Sequence, residues 1–140
     1  MLALITAPPP LDASEIIQLT NIIRLENHLP ALESSPKLNL AAKLKADDMI
    51  KNHYWSHVSP SGLTPWYWFN KVNYQYVYGG ENLAQGFGVS AEVVGAWMAS
   101  PLHKENILSP NFCQIGIAKV QGVVENKNTN LIVQTFGCTK

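Results

Sequence analysis

The sequence predicts one α+β domain in which helices and strands pack in layers. Four or five helical patterns and three strand patterns are present, and the strands do not strictly alternate with the helices. The 140 residues suit a single domain, because a chain of this length buries roughly 68% of its unfolded surface. Apolar residues make up 46% of the chain and charged residues only 14%, which excludes a disordered protein.

The first two predicted helices are long and amphipathic. Either Asp12 or Ser14 is the N-cap of the first, which ends near His28 before Pro30. The second runs from Leu38 or Asn39 to Lys51. Its apolar stripe is predicted to consist of Leu40, Leu44, Met49 and Ile50. Its polar side is predicted to consist of Lys43, Lys45, Asp47 and Asp48.

Three shorter helices are indicated by their first residues. The pair Thr64-Pro65 is a cap residue followed by a proline at the first helical position, and it opens an aromatic helix over residues 66–69. Ser90 begins a helix with an apolar face. The pair Ser100-Pro101 repeats the cap-and-proline signal, and it predicts a short helix through Ile107.

Three segments have the composition of strands. They are Tyr76 to Ala84, Gln114 to Val120, and Leu131 to Phe136. The polar segment 125–130 between the last two is predicted to be a hairpin loop.

Charge and cysteine content exclude several classes of protein. Ten Lys and Arg residues balance ten Asp and Glu residues, and Arg24 is the only arginine. Binding to nucleic acid through phosphate contacts is therefore not expected. Two cysteines, Cys113 and Cys138, are too few for a disulfide scaffold or a cysteine-rich zinc site.

The amino terminus is apolar but short. The first seven residues are apolar, and three prolines follow at residues 8–10. No run reaches the roughly 18 apolar residues of a membrane span, and no basic residue precedes Arg24, as a signal peptide would require. Residues 1–13 are interpreted as a leader, which is either a disordered terminus or the tail of a longer apolar segment, and residues 14–140 as the domain.

Three turns carry the polar residues that could do chemistry. They are His57-x-x-Pro-x-Gly, then Gly80-Glu-Asn-Leu-Ala, and finally Trp97-Met-x-Ser-Pro-x-His-x-x-Asn-Ile-Leu. Each turn places a titratable group beside Gly or Pro, as the walls of pockets often do. Taken one at a time, each is more typical of a surface or structural residue than of a site.

Together and in this order, the three motifs resemble the CAP superfamily of cysteine-rich secretory proteins, antigen 5 and pathogenesis-related class 1 proteins. The likeness is greatest to its compact bacterial SCP-domain branch, and it extends from about Ile16 to Gly137. The resemblance implies an α-β-α sandwich with a three-stranded antiparallel sheet between helix layers. It also implies secretion or display at the cell surface.

The family's cavity residues can be carried over to this chain by matching the motifs. The two histidines of the cavity correspond to His57 and His103, and its first glutamate to Glu81. Asn82 and Ser100 are expected to line the same cavity. Many eukaryotic members place a second glutamate where this chain has Ser100. Activity proposed for those larger members therefore does not transfer directly.

Two imidazoles and one carboxylate suit a divalent metal ion such as Zn²⁺. The first hypothesis is a binding module in which His57, His103 and Glu81 hold such an ion or a small polar molecule. Glu81 would either coordinate the ion directly or accept a hydrogen bond from a coordinating histidine. The alternatives are a purely structural cavity, a hydrolase using the same residues, and a lipid- or sterol-binding protein using its aromatic face. A hydrolase lacks a convincing nucleophile, since Ser100 is better explained as an N-cap. The expected partner is a small polar ligand, a cell-envelope component or a lipid, and the chain is expected to be a monomer without a transmembrane span.

Other histidines and aromatic residues are given structural interpretations. His53 is expected at the surface, and His28 at the end of the first helix, where it interacts with the helix dipole. The aromatic residues 66–69, Tyr74, Tyr76 and Tyr78 are expected to pack in the core, with a partly exposed rim that could also form an apolar groove.

The register of the predicted hairpin brings the two cysteines together. Pairing Val120 with Leu131 also places Ile115 opposite Phe136 and Cys113 opposite Cys138. Directly opposed residues have Cα atoms about 4.5–5.5 Å apart, within range of a disulfide, and the oxidising compartment that the family implies would allow the bond to form. The alternative is two free thiols, which a register shift of one residue would produce.

Overall fold

Helices cover both faces of a four-stranded sheet in the computed structural model, which describes residues 10–139. The predicted leader lies mostly in residues 1–9, outside the described residues. Along the described chain the helices are α1 (Ala13–Glu26), α2 (Pro36–Lys51), α3 (Pro65–Lys71), α4 (Ser90–Met98) and α5 (Pro101–Ile107). The strands are β1 (Glu33–Ser34), β2 (Tyr76–Gln85), β3 (Gln114–Val124) and β4 (Lys127–Thr139).

Capping residues account for where the helices begin. The Asp12 side chain accepts a hydrogen bond from the backbone N–H of Glu15 at 2.8 Å, so Asp12 is the cap of α1 and Ser14 lies inside the helix. Ser35 caps α2 in the same way, and the helix therefore begins at Pro36, earlier than predicted. The side chains of Thr64 and Ser100 make no capping hydrogen bond. Proline at the first position starts these two helices without one, since it fixes φ and removes an N–H that would have no partner.

The sheet has the strand order β1-β3-β4-β2. The three long strands pair in antiparallel fashion as expected, and β1 adds a two-residue parallel pair beside the start of β3. Strand β1 was not predicted, because two residues have no detectable periodicity. The predicted loop 125–130 is also wrong. The hairpin turns at Glu125 and Asn126, with φ angles of 50° and 64°, and both strands extend through the polar segment.

Alternation along the strands gives the sheet two apolar faces. Ile132 of β4 packs with α1, α4 and α5, whereas its neighbours Leu131 and Val133 pack with α2. Adjacent side chains of a strand point to opposite faces, so a helix layer covers each face. The predicted α-β-α sandwich is therefore confirmed.

A glycine in β3 allows α2 to lie directly on the sheet. A Cβ atom added at Gly116 would lie 2.2 Å from the carbonyl carbon of Leu38, so only glycine fits at this contact. Two polar contacts hold the same turn of α2: the backbone N–H of Ile117 donates to Asn39, and the Thr135 hydroxyl donates to the Leu38 carbonyl. The position of α2 matters for the site described below, because α2 carries Lys45.

The predicted hairpin register and disulfide are both confirmed. Val120 pairs with Leu131, and Ile115 pairs with Phe136. Cys113, just before β3, is bonded to Cys138 near the end of β4, with their Cα atoms 5.0 Å apart.

Among the described residues, no helix combines the length and the apolar character needed to cross a lipid bilayer.

Candidate functional site

The centre of the site is a contact between the loop that follows α2 and the middle of β2. His57 Nδ1 lies 2.7 Å from Oε1 of Glu81. The imidazole side chain is 53% exposed, whereas the carboxylate side chain is only 3% exposed. Glu81 therefore lies behind the ring and the ring faces solvent. Glu81 is thus a buried carboxylate bonded to a histidine ring.

This contact determines which nitrogen of His57 is available to a ligand. An ionised carboxylate can only accept hydrogen bonds, so Nδ1 must carry the proton. In the neutral ring Nε2 is then left as an acceptor or metal ligand. Histidines that bind metals are commonly oriented in this way, with the second nitrogen donating to a carboxylate.

The second imidazole comes from the other helix layer. His103 lies in α5 and is half-buried. Burial lowers the pKa of His103, and the charge of His57 lowers it further. His103 therefore lies within range of a positive charge on His57.

Buried amides hold α5 against β2. The Asn82 amide donates to the His103 carbonyl at 3.2 Å and to Gln134 at 3.1 Å. The Asn106 amide donates to the carbonyl of Glu81 and to the side-chain oxygen of Asn82. Asn82 is completely buried. It was predicted to line the cavity, but its contacts are with protein groups, and it fixes the backbone of His103.

Two glycines let neighbouring rings approach β2 just before Glu81. A Cβ atom at Gly79 would lie 2.7 Å from the Trp66 ring, and one at Gly80 would lie 2.7 Å from the Phe112 ring. A larger residue at either position would force β2 or the ring to move.

Lys45 is a component of the site that was not predicted from the sequence. It was assigned to the polar side of α2, but it is only 1% exposed. Its Nζ donates to the carbonyl of His57 at 2.5 Å and lies 5.2 Å from the centre of the Tyr54 ring. Burial lowers the pKa of Lys45, while the negative charges of Glu81 and Asp48 act to raise it.

The sequence did contain a signal for this burial. The buried stripe of α2 includes Ala41, Ala42, Ala46 and Met49. Lys45 lies on this stripe, four residues after Ala41. Leu40, predicted to be apolar and inward, is 51% exposed instead.

Within residues 10–139, the other candidates make no hydrogen bond to His57, Glu81 or His103. Ser100 is half-buried at the start of α5, and no hydrogen bond of its hydroxyl is present among the described residues. His53 and His28 are both exposed, as expected, and have φ angles of 54° and 61° where α2 and α1 end. Neither one joins the site.

The acidic and imidazole groups do not form a complete metal cage. Within residues 10–139, no group of three or more His, Cys, Asp or Glu side chains is arranged to hold a metal ion. The available donors are two imidazoles, with Glu81 already bonded to one of them. Such a set fits an ion that keeps water in its remaining positions.

The aromatic residues mostly fill the core, as the sequence analysis expected. Phe69 and Tyr74 are 1% and 3% exposed, and their rings meet edge to face at 5.7 Å. Trp68 is also buried, whereas Tyr67 and Tyr78 form an exposed rim at 40% and 47%.

Comparison with protein families gives one match that covers most of the chain. The family model described as the cysteine-rich secretory protein family, CAP, matches residues 17–136. An uncharacterised protein of Bacillus subtilis, YkwD, is 36% identical over 118 residues, which are 83% of this chain and 46% of that protein. A membrane protein of the same organism, YlbC, is 27% identical over 74% of this chain and 30% of its own length. The chain thus spans less than half the length of these curated relatives.

Solved structures with the same fold come from other bacteria. An extracellular SCP-domain protein of Bacillus anthracis superposes with a TM-score of 0.77 at 28% identity, covering 91% of this chain and 40% of that one. An outer surface protein of Borrelia burgdorferi superposes with a TM-score of 0.76 at 25% identity, covering 96% of this chain and 100% of that one.

Proposed function

The chain belongs to the cysteine-rich secretory protein family, and we propose that it is a secreted or surface-displayed binding module whose two histidines bind a divalent metal ion or a small polar ligand. His57 and His103 supply the binding nitrogens. Glu81 acts from behind His57 as its hydrogen-bond acceptor. Zinc is the best first probe, because it accepts imidazole ligands and low coordination numbers.

The observation that supports this proposal is the 2.7 Å contact between Glu81 and Nδ1 of His57. It orients a half-exposed imidazole and leaves Nε2 free to bind. A purely structural histidine would be expected to use both nitrogens in contacts with the protein, or to face solvent without a buried acceptor. A buried carboxylate bonded to one nitrogen of an exposed ring is typical of a histidine whose other nitrogen binds a ligand.

Two further observations support a location outside the cytoplasm. The Cys113–Cys138 disulfide is typical of oxidising compartments. The two solved relatives described above are an extracellular protein and an outer surface protein.

Replacement of either site histidine is expected to weaken zinc binding at least about tenfold. His57→Ala and His103→Ala each remove one of two protein ligands, and the double variant is expected to lose binding altogether. Isothermal titration of the purified protein with zinc measures the effect. His53→Ala is the matched control, since His53 is exposed and lies only four residues before His57. Folded wild-type protein that takes up no zinc, or a His53→Ala variant as weak as His57→Ala, would contradict the metal proposal.

Zinc affinity is also expected to fall at acidic pH. An imidazole must be neutral to bind a metal, and its ordinary pKa is about 6.5. Because burial and His57 lower the pKa of His103, this ring stays neutral to a lower pH than an ordinary histidine. The loss of affinity is therefore expected mainly below about pH 6.5. Titrations in non-coordinating buffers between about pH 7.5 and 5 measure it, and constant affinity over that range would mean that the ligands are not imidazoles.

A further inference from the structure

We propose that Lys45 is a positioning residue for His57, holding the backbone of that histidine from inside the protein through its hydrogen bond to the His57 carbonyl. This inference deepens the proposed function, since it assigns a residue that prepares the same site. The readout that decides it is measured on protein without metal. It can therefore succeed or fail independently of zinc binding.

The burial of Lys45 calls for an explanation, because lysine is rarely buried without a partner. Removing an ammonium group from water is costly unless charges and hydrogen bonds replace the water. The partners of Lys45 are the His57 carbonyl, the face of the Tyr54 ring, and the charges of Glu81 and Asp48. Asp48 in turn accepts a hydrogen bond from the Tyr54 hydroxyl at 2.5 Å. Most of these partners therefore lie on or directly behind the loop that carries His57.

His57 is held at two points by two different residues. Lys45 binds its main-chain carbonyl, and Glu81 binds its ring nitrogen. The ring itself is 53% exposed, so few other contacts restrict it. With both anchors in place, the main chain and Nδ1 are fixed and Nε2 faces outward. Loss of Lys45 would leave only the Glu81 anchor.

The test replaces Lys45 with methionine, which has a similar length but no charge or donor. The readout is the tautomer of His57 in metal-free protein at neutral to mildly basic pH, observed through the ¹⁵N shifts of the imidazole. Wild-type His57 is expected to carry its proton mainly on Nδ1. In Lys45→Met, the share of the Nε2–H form is expected to rise at least about threefold. Zinc affinity is expected to fall about 10- to 100-fold, as when other groups behind metal ligands are removed.

Lys43→Met is the matched control on the same helix. The Lys43 ammonium is exposed and bonds to Asp47 at 2.6 Å, away from the histidines. Both the tautomer and the zinc affinity of this variant are expected to equal those of the wild type. Lys45→Arg keeps a charge and donors at the site, and it is expected to restore much of the Nδ1–H form. If Lys45→Met does not fold, Lys45→Gln provides the test, since its side chain is polar and uncharged but one bond shorter, so that its amide falls short of the His57 carbonyl.

The outcomes separate this proposal from the proposed function. A wild-type tautomer in folded Lys45→Met and Lys45→Gln would overturn the positioning role, even if zinc binding were lost. A changed tautomer in these variants would support the role, even if wild-type protein bound no zinc and the metal proposal failed. An equal change in Lys43→Met would also overturn the role, because the effect would then come from general loss of positive charge on α2.

Discussion

Replacing both Cys113 and Cys138 with alanine is expected to lower the free energy of unfolding by about 3.5 kcal/mol. The bond joins residues 25 apart in sequence, across the open end of the β3–β4 hairpin. In the unfolded chain it closes a loop, and the lost conformational entropy destabilises that state relative to the native one. Urea denaturation of the oxidised wild type and of the double variant measures the difference.

The control for this experiment is another opposed pair on the same hairpin. Val123 and Asn128 face each other across β3 and β4, and both are exposed. Their replacement with alanine is expected to change stability by no more than about 1 kcal/mol. Thiol titration of the unfolded, non-reduced wild type is expected to find no free thiol. Two reactive thiols per chain, or equal stability of the wild type and the cysteine variant, would contradict the prediction.

The same hairpin illustrates how far sequence patterns determine this fold. Pairing the two strand ends that flank the loop predicted the register, which the structure confirms. A shift of one residue would have turned the side chains of one strand to the other face. The register in turn identified the disulfide partners. The length of the strands was not predictable in the same way. Residues 127–130 are polar and carry no apolar alternation, and the two-residue turn at Glu125 and Asn126 lacks the glycine that usually marks such turns.

The candidate site was predictable from sequence only in part. The motifs singled out His57, Glu81 and His103, and the structure brings Glu81 into contact with His57. Its supporting residues were harder to predict. A lysine is assigned to solvent by default, so Lys45 was placed on the wrong face of α2. Lys45 is buried by contacts with residues distant in sequence, and no local sequence pattern indicates which carbonyl its ammonium group will bind.

Asn82 presents the same difficulty. A polar residue beside a glutamate in a motif is naturally interpreted as lining the cavity. Its burial followed from the packing of α5 on β2, through hydrogen bonds to His103 and Gln134. Distant segments supply these partners, so the sequence marked the residue as important without indicating its role.

The largest loss of stability is expected from Arg24, the only arginine in the chain. Its side chain is 1% exposed, and burial lowers its pKa. Nη1 donates to the carbonyls of Ile107 and Ser109 at 2.9 and 2.8 Å, Nε donates to Pro30, and Nη2 makes a longer contact of 3.4 Å with Phe112. One guanidinium group thus joins the end of α1 to the end of α5, the helix that carries His103.

Arg24→Met is expected to lower the free energy of unfolding by about 3–5 kcal/mol, because it leaves several buried carbonyls without donors. Methionine avoids the cost of burying a charge, but it replaces none of these hydrogen bonds. Arg24→Lys is also expected to be destabilising, since one ammonium cannot reach carbonyls arranged around a planar fork. Urea denaturation measures both variants. Leu25→Ala is the control. Leu25 is next to Arg24 in sequence, but its side chain is 58% exposed, so its loss should change stability by about 0.5 kcal/mol or less.

Hydrogen exchange in α5, the helix that carries His103, provides a second measurement on Arg24→Met. Since Arg24 binds the Ile107 carbonyl near the end of α5, its loss is expected to loosen the helix at the end opposite Pro101. Amide hydrogen exchange in α5 is therefore expected to accelerate more in Arg24→Met than exchange in α2, whose contacts are untouched. Two results together would contradict this prediction: a loss of less than about 1 kcal/mol in Arg24→Met, and exchange in α5 as slow as in the wild type. They would mean that water satisfies these carbonyls as well as the guanidinium does.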